Sequence, residues 1–439
     1  MNSDVNSDVK NGVKSTATKV LIVEDSPIVA KILLHIAKQE LNFDVILAST
    51  FAEARQICEQ QREDIFAALV DLNLPDAPDG EVVDYTLEQK IPTIVLTGSF
   101  DDKRREKLLS KGIVDYVTKE GRYSYKYAIK AVNRLEKNQF VKVLVVEDSK
   151  VMRKHIVNLL SRHQFEIYQA VDGIDAIKVI LEHPDIRLLI TDYNMPNMDG
   201  FELVKNLRCK YEKFDLIIIG LSAAGESNLS AKLIKTGAND FLSKPFNPEE
   251  FYCRINHNIE ALDLVDQIRD SANRDYVSGL YSRRYFFEQS ESLYATAHAN
   301  SSPLSLAIIS IDDFKQVNDS LGPEIGDLVL KQFAQVLEKS LSRFLVARSS
   351  GKEFYILMAG LSNDKAITLI DHVRAVVASE SFSHQEQKIG ITFSAGVSSQ
   401  LGERIGDQVA VAENCLLRAK QAGKDVVMGD DNDEEEDSQ

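Results

Sequence analysis

One apolar segment that ends in two carboxylates occurs twice in this chain. Residues 20–26 read VLIVEDS, and residues 143–149 read VLVVEDS. A continuous apolar run of this kind predicts a strand that is buried on both faces, which is typical of parallel sheets. Helix-like and strand-like patterns then alternate after each copy. The repeat therefore predicts two doubly wound α/β domains, each built on a parallel sheet.

The ends of the predicted strands carry the same residue types in both copies. In open parallel sheets, functional groups collect at the carboxyl ends of the strands. The matching positions are Glu24, Asp25, Asp71, Thr97 and Lys119 in the first copy, and Glu147, Asp148, Asp192, Ser222 and Lys244 in the second. A single carboxylate is more simply interpreted as a cap of a strand end or helix, but two matching sets favour a shared chemistry.

Clustered carboxylates suit a hard cation such as Mg²⁺. With the metal screening its charge, the central aspartate can attack a phosphoryl donor, and the hydroxyl and the lysine can bind the phosphoryl oxygens.

With these residues, both copies resemble the receiver domains of two-component response regulators, which have a flavodoxin-like fold. The resemblance implies phospho-acceptors at Asp71 and Asp192, each binding Mg²⁺ with the Glu-Asp pair of its own copy. It also implies switch hydroxyls at Thr97 and Ser222, switch aromatics at Tyr116 and Phe241, and phosphoryl-binding lysines at Lys119 and Lys244. The first copy departs from the family at Glu120, where the second has Pro245, and by one extra residue before Gly80.

A predicted helix follows the second copy. Asn247 and Pro248 form a typical helix start, and apolar residues then recur at three- and four-residue spacing from Phe251 to Ile268. The pattern predicts a last helix of the second domain that continues as an amphipathic connector to about residue 274. Pairing of this helix with a second copy would give a homodimer, and packing of its later half against its own domain is the alternative.

The C-terminal part of the chain contains further motifs. In chain order they are LSLAIISI, DDFKQVND, GPEIGD, a hairpin with the tip SGKEF, ITFSAGV and RAKQAGK. Apolar runs on both sides of residues 349–353 predict the hairpin. This succession resembles the GGDEF domain of diguanylate cyclases, an α+β, nucleotidyl-cyclase-like fold that makes cyclic di-GMP from GTP. Together with two receivers, the chain is similar in layout to PleD-type regulators.

The resemblance also implies a nucleotide site with altered residues. Purine recognition would fall on Asn318 and Asp327, and phosphate contacts on Lys315, Lys420 and Lys424. The two metal-binding carboxylates of the family correspond to Ser310 and Lys352, and the signature reads Ser350, Gly351, Lys352, Glu353. Because phosphoryl transfer depends on metal ions and positioned charge, we expect cyclase activity to be absent or vestigial. GTP bound without turnover, with Lys352 in place of the metal, and an empty pocket retained for its surface are the two alternatives for the site.

Composition limits the remaining possibilities. The net charge of −16 and the lack of a basic face argue against nucleic-acid binding, and no apolar run is long enough to span a membrane. Four dispersed cysteines indicate reduced thiols and a cytoplasmic location. The predicted organisation is a disordered leader (1–18), receivers at 19–137 and 141–262, the degenerate GGDEF domain (275–428) and an acidic disordered tail (429–439).

Three functions remain open. The first is a phosphorylation-controlled adaptor that receives its phosphoryl group from a histidine kinase or phosphotransfer protein. Its degenerate GGDEF domain would then bind a partner, such as an EAL-type cyclic di-GMP phosphodiesterase or another cyclic di-GMP enzyme. The second is a phosphorylation-gated, active diguanylate cyclase. The third is a phosphate sink for a histidine kinase.

Overall fold

The computed structural model describes residues 17–98, 101–223, 227–380, 382–384 and 387–430. The predicted leader up to residue 16 and the predicted tail from residue 431 lie outside these residues. The chain divides into two compact units, Met1–Asp263 and Leu264–Gln439. Within the described residues, no helix combines the length and the apolar character that crossing a membrane requires.

The first repeat is a five-stranded parallel sheet in the order β2-β1-β3-β4-β5. Its strands are β1 (Lys19–Val23), β2 (Asp44–Ala48), β3 (Ile65–Asp71), β4 (Thr93–Thr97) and β5 (Asp115–Thr118). Its helices are α1 (Pro27–Glu40), α2 (Phe51–Gln61), α3 (Glu81–Glu88), α4 (Asp102–Lys111) and α5 (Arg122–Asn138). All seven residues of β3 are buried, because helices cover the central strands on both faces.

The second repeat has the same topology, with the strand order β10-β9-β8-β6-β7. Its strands are β6 (Lys142–Val146), β7 (Glu166–Ala170), β8 (Ile186–Asp192), β9 (Ile217–Ala223) and β10 (Asp240–Lys244). Its helices are α6 (Lys150–Arg162), α7 (Gly173–Glu182), α8 (Gly200–Arg208), α9 (Ser227–Thr236) and α10 (Pro248–Asn273). The prediction of two doubly wound parallel sheets is confirmed.

Helix α10 continues well past the sheet of the second repeat. Phe251, Ile255 and Ile259 are buried in the core of that repeat, as their spacing predicts. In the later half, Ile268 has 67% of its surface exposed. The structure therefore does not support packing of the helix end against its own domain, which was the alternative interpretation.

The C-terminal domain is built on a six-stranded mixed sheet in the order β11-β13-β14-β12-β17-β18. Its strands are β11 (Tyr281–Ser282), β12 (Leu304–Ile311), β13 (Leu345–Ser350), β14 (Glu353–Ala359), β17 (Phe393–Ser398) and β18 (Val427–Met428), with β15 (Phe382–His384) and β16 (Gln387–Ile389) as a separate pair. Its helices are α11 (Arg283–Asn300), α12 (Phe314–Leu321), α13 (Pro323–Ser340), α14 (Asn363–Ser379) and α15 (Ile405–Gln421). The predicted hairpin is confirmed, since β13 and β14 pair in antiparallel fashion.

Two predicted domain ends need correction. Thr18, assigned to the leader, donates its backbone N–H to the Asp64 carbonyl at 3.1 Å. Asp430, assigned to the tail, is buried and accepts hydrogen bonds from the Ser398 hydroxyl at 2.7 Å and the Ser399 backbone at 2.8 Å. The acidic composition around residue 430 suggested a solvated end, but this carboxylate is bonded to the loop that follows β17.

Candidate functional site

The first carboxylate cluster lies at the carboxyl edge of the sheet in the first repeat. Glu24 and Asp25 directly follow β1, and Asp71 is the last residue of β3, which lies next to β1 in the sheet. Carboxylate oxygens of the three residues lie within 4.8 Å of one another. Glu24 and Asp71 are buried, whereas Asp25 is exposed. The three residues thus lie close together, as the sequence predicted.

Lys119 compensates the buried charge of this cluster. Its Nζ lies 2.7 Å from Asp71 Oδ2 and 2.6 Å from Glu24 Oε2. Burial acts to lower the pKa of Lys119, but hydrogen bonds to Asp71 and Glu24 outweigh it and raise that pKa above its usual value. Burial also raises the pKa of Glu24. The lysine is therefore held protonated at the position where it can bind an oxygen attached to Asp71.

The second repeat reproduces the cluster. Oxygens of Glu147, Asp148 and Asp192 lie within 4.8 Å of one another. Lys244 Nζ lies 2.7 Å from Glu147 Oε2 and 2.8 Å from Asp192 Oδ1, and its peptide bond to Pro245 is cis. Burial raises the pKa of Glu147, as it does for Glu24. Two sequence-distant copies thus converge on one geometry.

The predicted switch residues lie on neighbouring strands of each sheet. Asp71 pairs with Leu96, so the buried Thr97 lies one residue further along the same edge. Likewise, Asp192 pairs with Leu221, and the buried Ser222 follows it. The aromatic residues lie on the adjacent strand, where Tyr116 pairs with Val95 and Phe241 pairs with Gly220. Both aromatic rings are partly buried.

The residues of both clusters fit a bound Mg²⁺. Three carboxylates supply hard oxygen ligands within reach of one ion, which is the donor set that Mg²⁺ prefers. In the first repeat, Glu24, Asp25 and Asp71 would hold the ion, and in the second Glu147, Asp148 and Asp192 would hold it. Among the described residues, these two are the groups of three acidic or metal-binding side chains that lie close enough to hold a metal.

The C-terminal domain presents different residues at its corresponding edge. Ser310 lies on β12 opposite Glu353 of β14, is fully buried, and its Oγ has no hydrogen-bond partner within the described part of the chain. Lys352 is half-buried in the turn between β13 and β14, and its carbonyl accepts a hydrogen bond from the Ile311 N–H at 3.1 Å. The two positions are therefore neighbours in space, with a hydroxyl and an ammonium group and no carboxylate.

The predicted nucleotide-binding residues are only partly brought together. Asn318 lies on α12 and Asp327 on α13, and the Asn318 Oδ1 atom is buried without a hydrogen-bond partner in the described structure. Gly326 packs so closely that a Cβ there would collide with Asn318 Oδ1. Lys420 Nζ lies 3.6 Å from Glu353, and Lys424 Nζ lies 2.6 Å from Asp313. Lys315 is exposed.

Sequence reasoning missed two residues that shape this site. Arg348 donates to the Gly351 carbonyl from Nη2 at 2.6 Å and from Nε at 3.0 Å, and its Nη1 lies 2.8 Å from Asp275. The buried Asp312 accepts hydrogen bonds from the hydroxyls of Thr392 at 3.0 Å and Ser394 at 2.7 Å. The acidic pair Asp312-Asp313 was a visible signal, but the partners of Arg348 come from distant parts of the chain.

Comparison with known proteins agrees with this geometry. The family described as "Response regulator receiver domain" matches residues 20–124 and 143–256, and the family described as "Diguanylate cyclase, GGDEF domain" matches residues 272–426. The response regulator PleD of Caulobacter vibrioides is 27% identical over 300 residues, which cover 66% of this chain and 65% of PleD. The chain thus aligns to slightly less than two thirds of PleD.

Two further relatives cover parts of the chain. A CheY homologue of Campylobacter jejuni, described as a chemotaxis protein, is 38% identical over 111 residues, or 25% of this chain and 85% of the homologue. A solved structure described as a two-component system response regulator/GGDEF domain protein is 41% identical, covers 56% of this chain and 99% of its own, and has a TM-score of 0.52. The chain therefore belongs to the response regulators, with two receiver domains followed by a GGDEF domain in a PleD-like layout.

Proposed function

We propose that the chain is a phosphorylation-controlled regulator in cyclic di-GMP signalling whose GGDEF domain is a regulatory or protein-binding output without cyclase activity. One contrast carries this proposal. Both receivers retain a complete carboxylate cluster with its lysine, whereas Ser310 and Lys352 occupy the positions that correspond to the metal-binding carboxylates of the GGDEF family.

In each receiver, the aspartate at the end of the third strand is the phospho-acceptor. A bound Mg²⁺ would screen the negative charge of the cluster and of the incoming phosphoryl group. Lys119 and Lys244 already lie within hydrogen-bond distance of Asp71 and Asp192, so each can bind a phosphoryl oxygen on its acceptor. Thr97 and Ser222 lie at the same sheet edge and supply the hydroxyl donor of each site.

Phosphorylation can be tested on the full chain. Incubation with acetyl phosphate and Mg²⁺ should add two phosphoryl groups per chain, as measured by intact-protein mass spectrometry. Asp71→Asn and Asp192→Asn should each remove one of the two, and Asp84→Asn, an exposed carboxylate of the first repeat, should remove none. If an acceptor variant leaves the number of phosphoryl groups per chain unchanged, that aspartate is not the phospho-acceptor of its receiver.

The loss of cyclase activity follows from charge. Phosphoryl transfer by this type of domain depends on metal ions rather than on covalent help from the protein. Ser310 offers no charge to a metal, and an ammonium group near a divalent cation costs more than about 1 kcal/mol in a partly buried cleft. Lys352 is half-buried next to the strand that carries Ser310. The missing carboxylate and the repulsion by the ammonium group therefore act on the same proposed metal site.

The activity test uses acetyl-phosphate-treated protein with GTP and Mg²⁺, and chromatography to resolve the nucleotides. We expect no cyclic di-GMP from the wild type. The double variant Ser310→Asp with Lys352→Glu restores the two carboxylates, and any gain of Mg²⁺-dependent GTP binding or turnover in it would tie the loss to these positions. Cyclic di-GMP made by the wild type would favour the alternative of a phosphorylation-gated cyclase.

A nucleotide-sensing role is a second candidate for the GGDEF domain. The unpartnered, buried Asn318 Oδ1 is an acceptor that a guanine N–H could satisfy, and Lys352 could pair with triphosphate oxygens in place of a metal. Calorimetry with GTP, with and without Mg²⁺, tests this role. Binding that does not require Mg²⁺ and weakens in Lys352→Met supports it, whereas absence of binding below millimolar GTP leaves the domain as a protein-binding surface.

The partners follow from the domain types. Receiver domains take their phosphoryl group from a histidine kinase or a phosphotransfer protein, and the GGDEF domain favours an EAL-type phosphodiesterase or another cyclic di-GMP enzyme as the output partner. A pulldown that compares the wild type with Asp71→Ala and Asp192→Ala distinguishes an adaptor from a phosphate sink. Capture of such an enzyme that depends on an acceptor aspartate supports the adaptor, and absence of capture from the wild type and from both variants favours the sink.

A further inference from the structure

A cavity of about 610 Å³ lies between the two repeats of the first unit. The first repeat contributes β5 and the start of α5 to its wall, and the second contributes α10 and His163, which follows α6. The two sides are held together by an ion pair between Arg105 and Glu249 and by a 3.0 Å hydrogen bond from Asn138 Nδ2 to the His163 carbonyl. The volume falls in the range of ordinary small-molecule sites.

Two buried acceptor atoms in this wall have no partner among the described residues. His163 is 6% exposed, stacks on Tyr252 at 3.7 Å, and is hydrogen-bonded to the Val114 backbone. Burial lowers the pKa of His163 to about 3, so its imidazole is neutral. Nε2 has no partner, so the bond to the Val114 carbonyl comes from Nδ1–H, and Nε2 is left as an acceptor. Asn256 Oδ1 is the second unpartnered acceptor.

The charge of the wall has one sign. Asp115, Glu120, Glu249 and Glu260 line the cavity, and no lysine or arginine does so within the described residues. Burial raises the pKa of Asp115, to which Tyr127 donates at 2.8 Å, and Glu249 pairs with Arg105. The exposed carboxylate of Glu260 lies on α10 one helical turn from Asn256, and the Oδ1 atom of Asn256 has no hydrogen-bond partner among the described residues.

A smaller adjoining cavity of about 80 Å³ shares Asp115, Tyr127, His163, Asn256 and Glu260 with the larger one and adds Lys130 and Arg134. The Arg134 guanidinium lies 2.6 Å from Asp263, which neutralises it locally. Lysine and arginine therefore line the smaller cavity, and neither lines the larger one within the described residues. The wall of the larger cavity also includes four tyrosines, Tyr116, Tyr123, Tyr127 and Tyr252, and His163 stacks on the ring of Tyr252.

We propose that this cavity binds a small organic cation with N–H donors, of the alkylamine or guanidine class. Two buried acceptors require donors from the occupant, because leaving an acceptor unpaired costs about 1–3 kcal/mol. The carboxylates of the wall favour a positive charge and disfavour an anion. Apart from Tyr116, the predicted switch aromatic of the first receiver, these residues belong to neither the carboxylate clusters nor the GGDEF site.

Isothermal titration calorimetry of the full chain with agmatine, putrescine and choline, at constant ionic strength, tests the proposal. Agmatine or putrescine should bind saturably with one molecule per chain. Choline carries the charge but no N–H donor, so it should bind at least about tenfold more weakly, as expected for lost hydrogen bonds to buried acceptors. An equal affinity for choline would overturn the role of the two acceptors.

Variants then locate the site. His163→Phe combined with Asn256→Leu should weaken diamine or guanidine binding by about tenfold or more. Glu260→Gln should weaken it several-fold, and Glu250→Gln, an exposed carboxylate on the same helix outside the cavity, should have no effect. Because Glu260 is exposed, its variant tests the site even if the double variant fails to fold. No saturable binding by the wild type, or unchanged binding in Glu260→Gln and in a folded double variant, would overturn the proposal.

Discussion

At the residue scale, one lysine per receiver decides the charge balance of the phospho-acceptor site. Lys119 pairs with two buried carboxylates, and only 12% of its side chain is exposed. An ion pair of this kind adds little when compared with an apolar replacement of both partners, but removal of one partner leaves the other charge buried and uncompensated. We therefore expect the lysine to contribute to stability in addition to its proposed role in phosphoryl binding.

Lys119→Met should lower the free energy of unfolding of the first receiver by about 2–4 kcal/mol at neutral pH in the absence of divalent metal. Addition of Mg²⁺ should recover part of this loss, because the carboxylates regain a cation. Thermal unfolding with and without Mg²⁺ measures both effects. The matched control is Lys111→Met, which breaks an exposed pair with Asp84 and should cost less than about 1 kcal/mol. Equal losses in the two variants would contradict the importance of burial.

His163 predicts a pH dependence of stability. Burial lowers its pKa to about 3 in the folded protein, against a usual value of 6.5. Below pH 6.5, His163 binds a proton in the unfolded chain but stays neutral in the folded protein. The free energy of unfolding therefore decreases as the pH falls from 6.5 towards 3. Between about pH 7.5 and about pH 5.5 the wild type should lose about 1.4 kcal/mol more than His163→Phe.

Urea denaturation of both proteins at each pH measures their free energies of unfolding. Comparison with the variant removes the contribution of all other titrating groups. Parallel stability curves for the two proteins would show that His163 does not carry the effect. Because the double variant of the cavity also contains His163→Phe, the same experiment reports whether that substitution is tolerated.

At the scale of elements, two contacts fix the local packing of the C-terminal domain. Its secondary structure alone does not explain either of them. The turn between β13 and β14 is held by Arg348, which bonds to Gly351 within the turn and to Asp275 before β11. Helices α12 and α13 meet at Gly326, whose missing side chain makes room for Asn318. Both contacts position residues of the site that corresponds to the cyclase centre.

Gly326→Ala should destabilise the GGDEF domain by about 1–3 kcal/mol, because the added methyl group overpacks the contact with Asn318. Glycine to alanine within a helix otherwise stabilises by about 0.5–1 kcal/mol. Gly406→Ala is the matched control, since it lies in α15 and a Cβ there meets nothing within 4 Å. Denaturant unfolding of both variants should therefore give shifts of opposite sign, and a stabilised Gly326→Ala would contradict the close packing.

At the scale of the whole molecule, metal-binding groups are distributed unevenly. Among the described residues, both three-carboxylate clusters belong to the first unit. The C-terminal domain retains the order of the GGDEF motifs and their fold, with Ser310 and Lys352 at the positions that the family resemblance assigns to the metal ligands. Under the proposed function, the chain combines two receivers suited to metal with an output domain that lacks carboxylate ligands at these two positions.

Metal stoichiometry tests this distribution. Titration with Mn²⁺, followed by electron paramagnetic resonance of the free ion, should give two sites per chain for the wild type without nucleotide. The same number is expected with GTP, after subtraction of the Mn²⁺ that GTP alone binds in a protein-free titration. Asp71→Ala and Asp192→Ala should each leave one strong site, because each removes a central ligand. A third site that appears only with GTP would show that the GGDEF domain still binds metal and would contradict the proposed loss.

Much of the fold could be predicted because its signals are local. The buried strands, the carboxylates at their ends and the hairpin are visible as runs, spacings and turn residues. In a parallel sheet, the carboxyl ends of all strands lie at one edge. The sheet topology therefore predicts that the acidic residues at these ends form clusters. The predicted ends at Thr18 and Asp430 were wrong because composition does not reveal a single hydrogen bond to a distant strand or loop.

The sequence by itself thus determined the residues of the two acidic clusters, the order of the GGDEF motifs and the presence of Ser310 and Lys352 at the positions proposed for metal ligands. Only the tertiary structure decided what surrounds these residues: the bracing of the turn by Arg348, the contact of Gly326 with Asn318, and the cavity with the unpartnered acceptors of His163 and Asn256. The reason is physical. Periodicity encodes which face of an element is buried, but contacts between side chains far apart in sequence depend on how helices pack, and no local pattern specifies that packing.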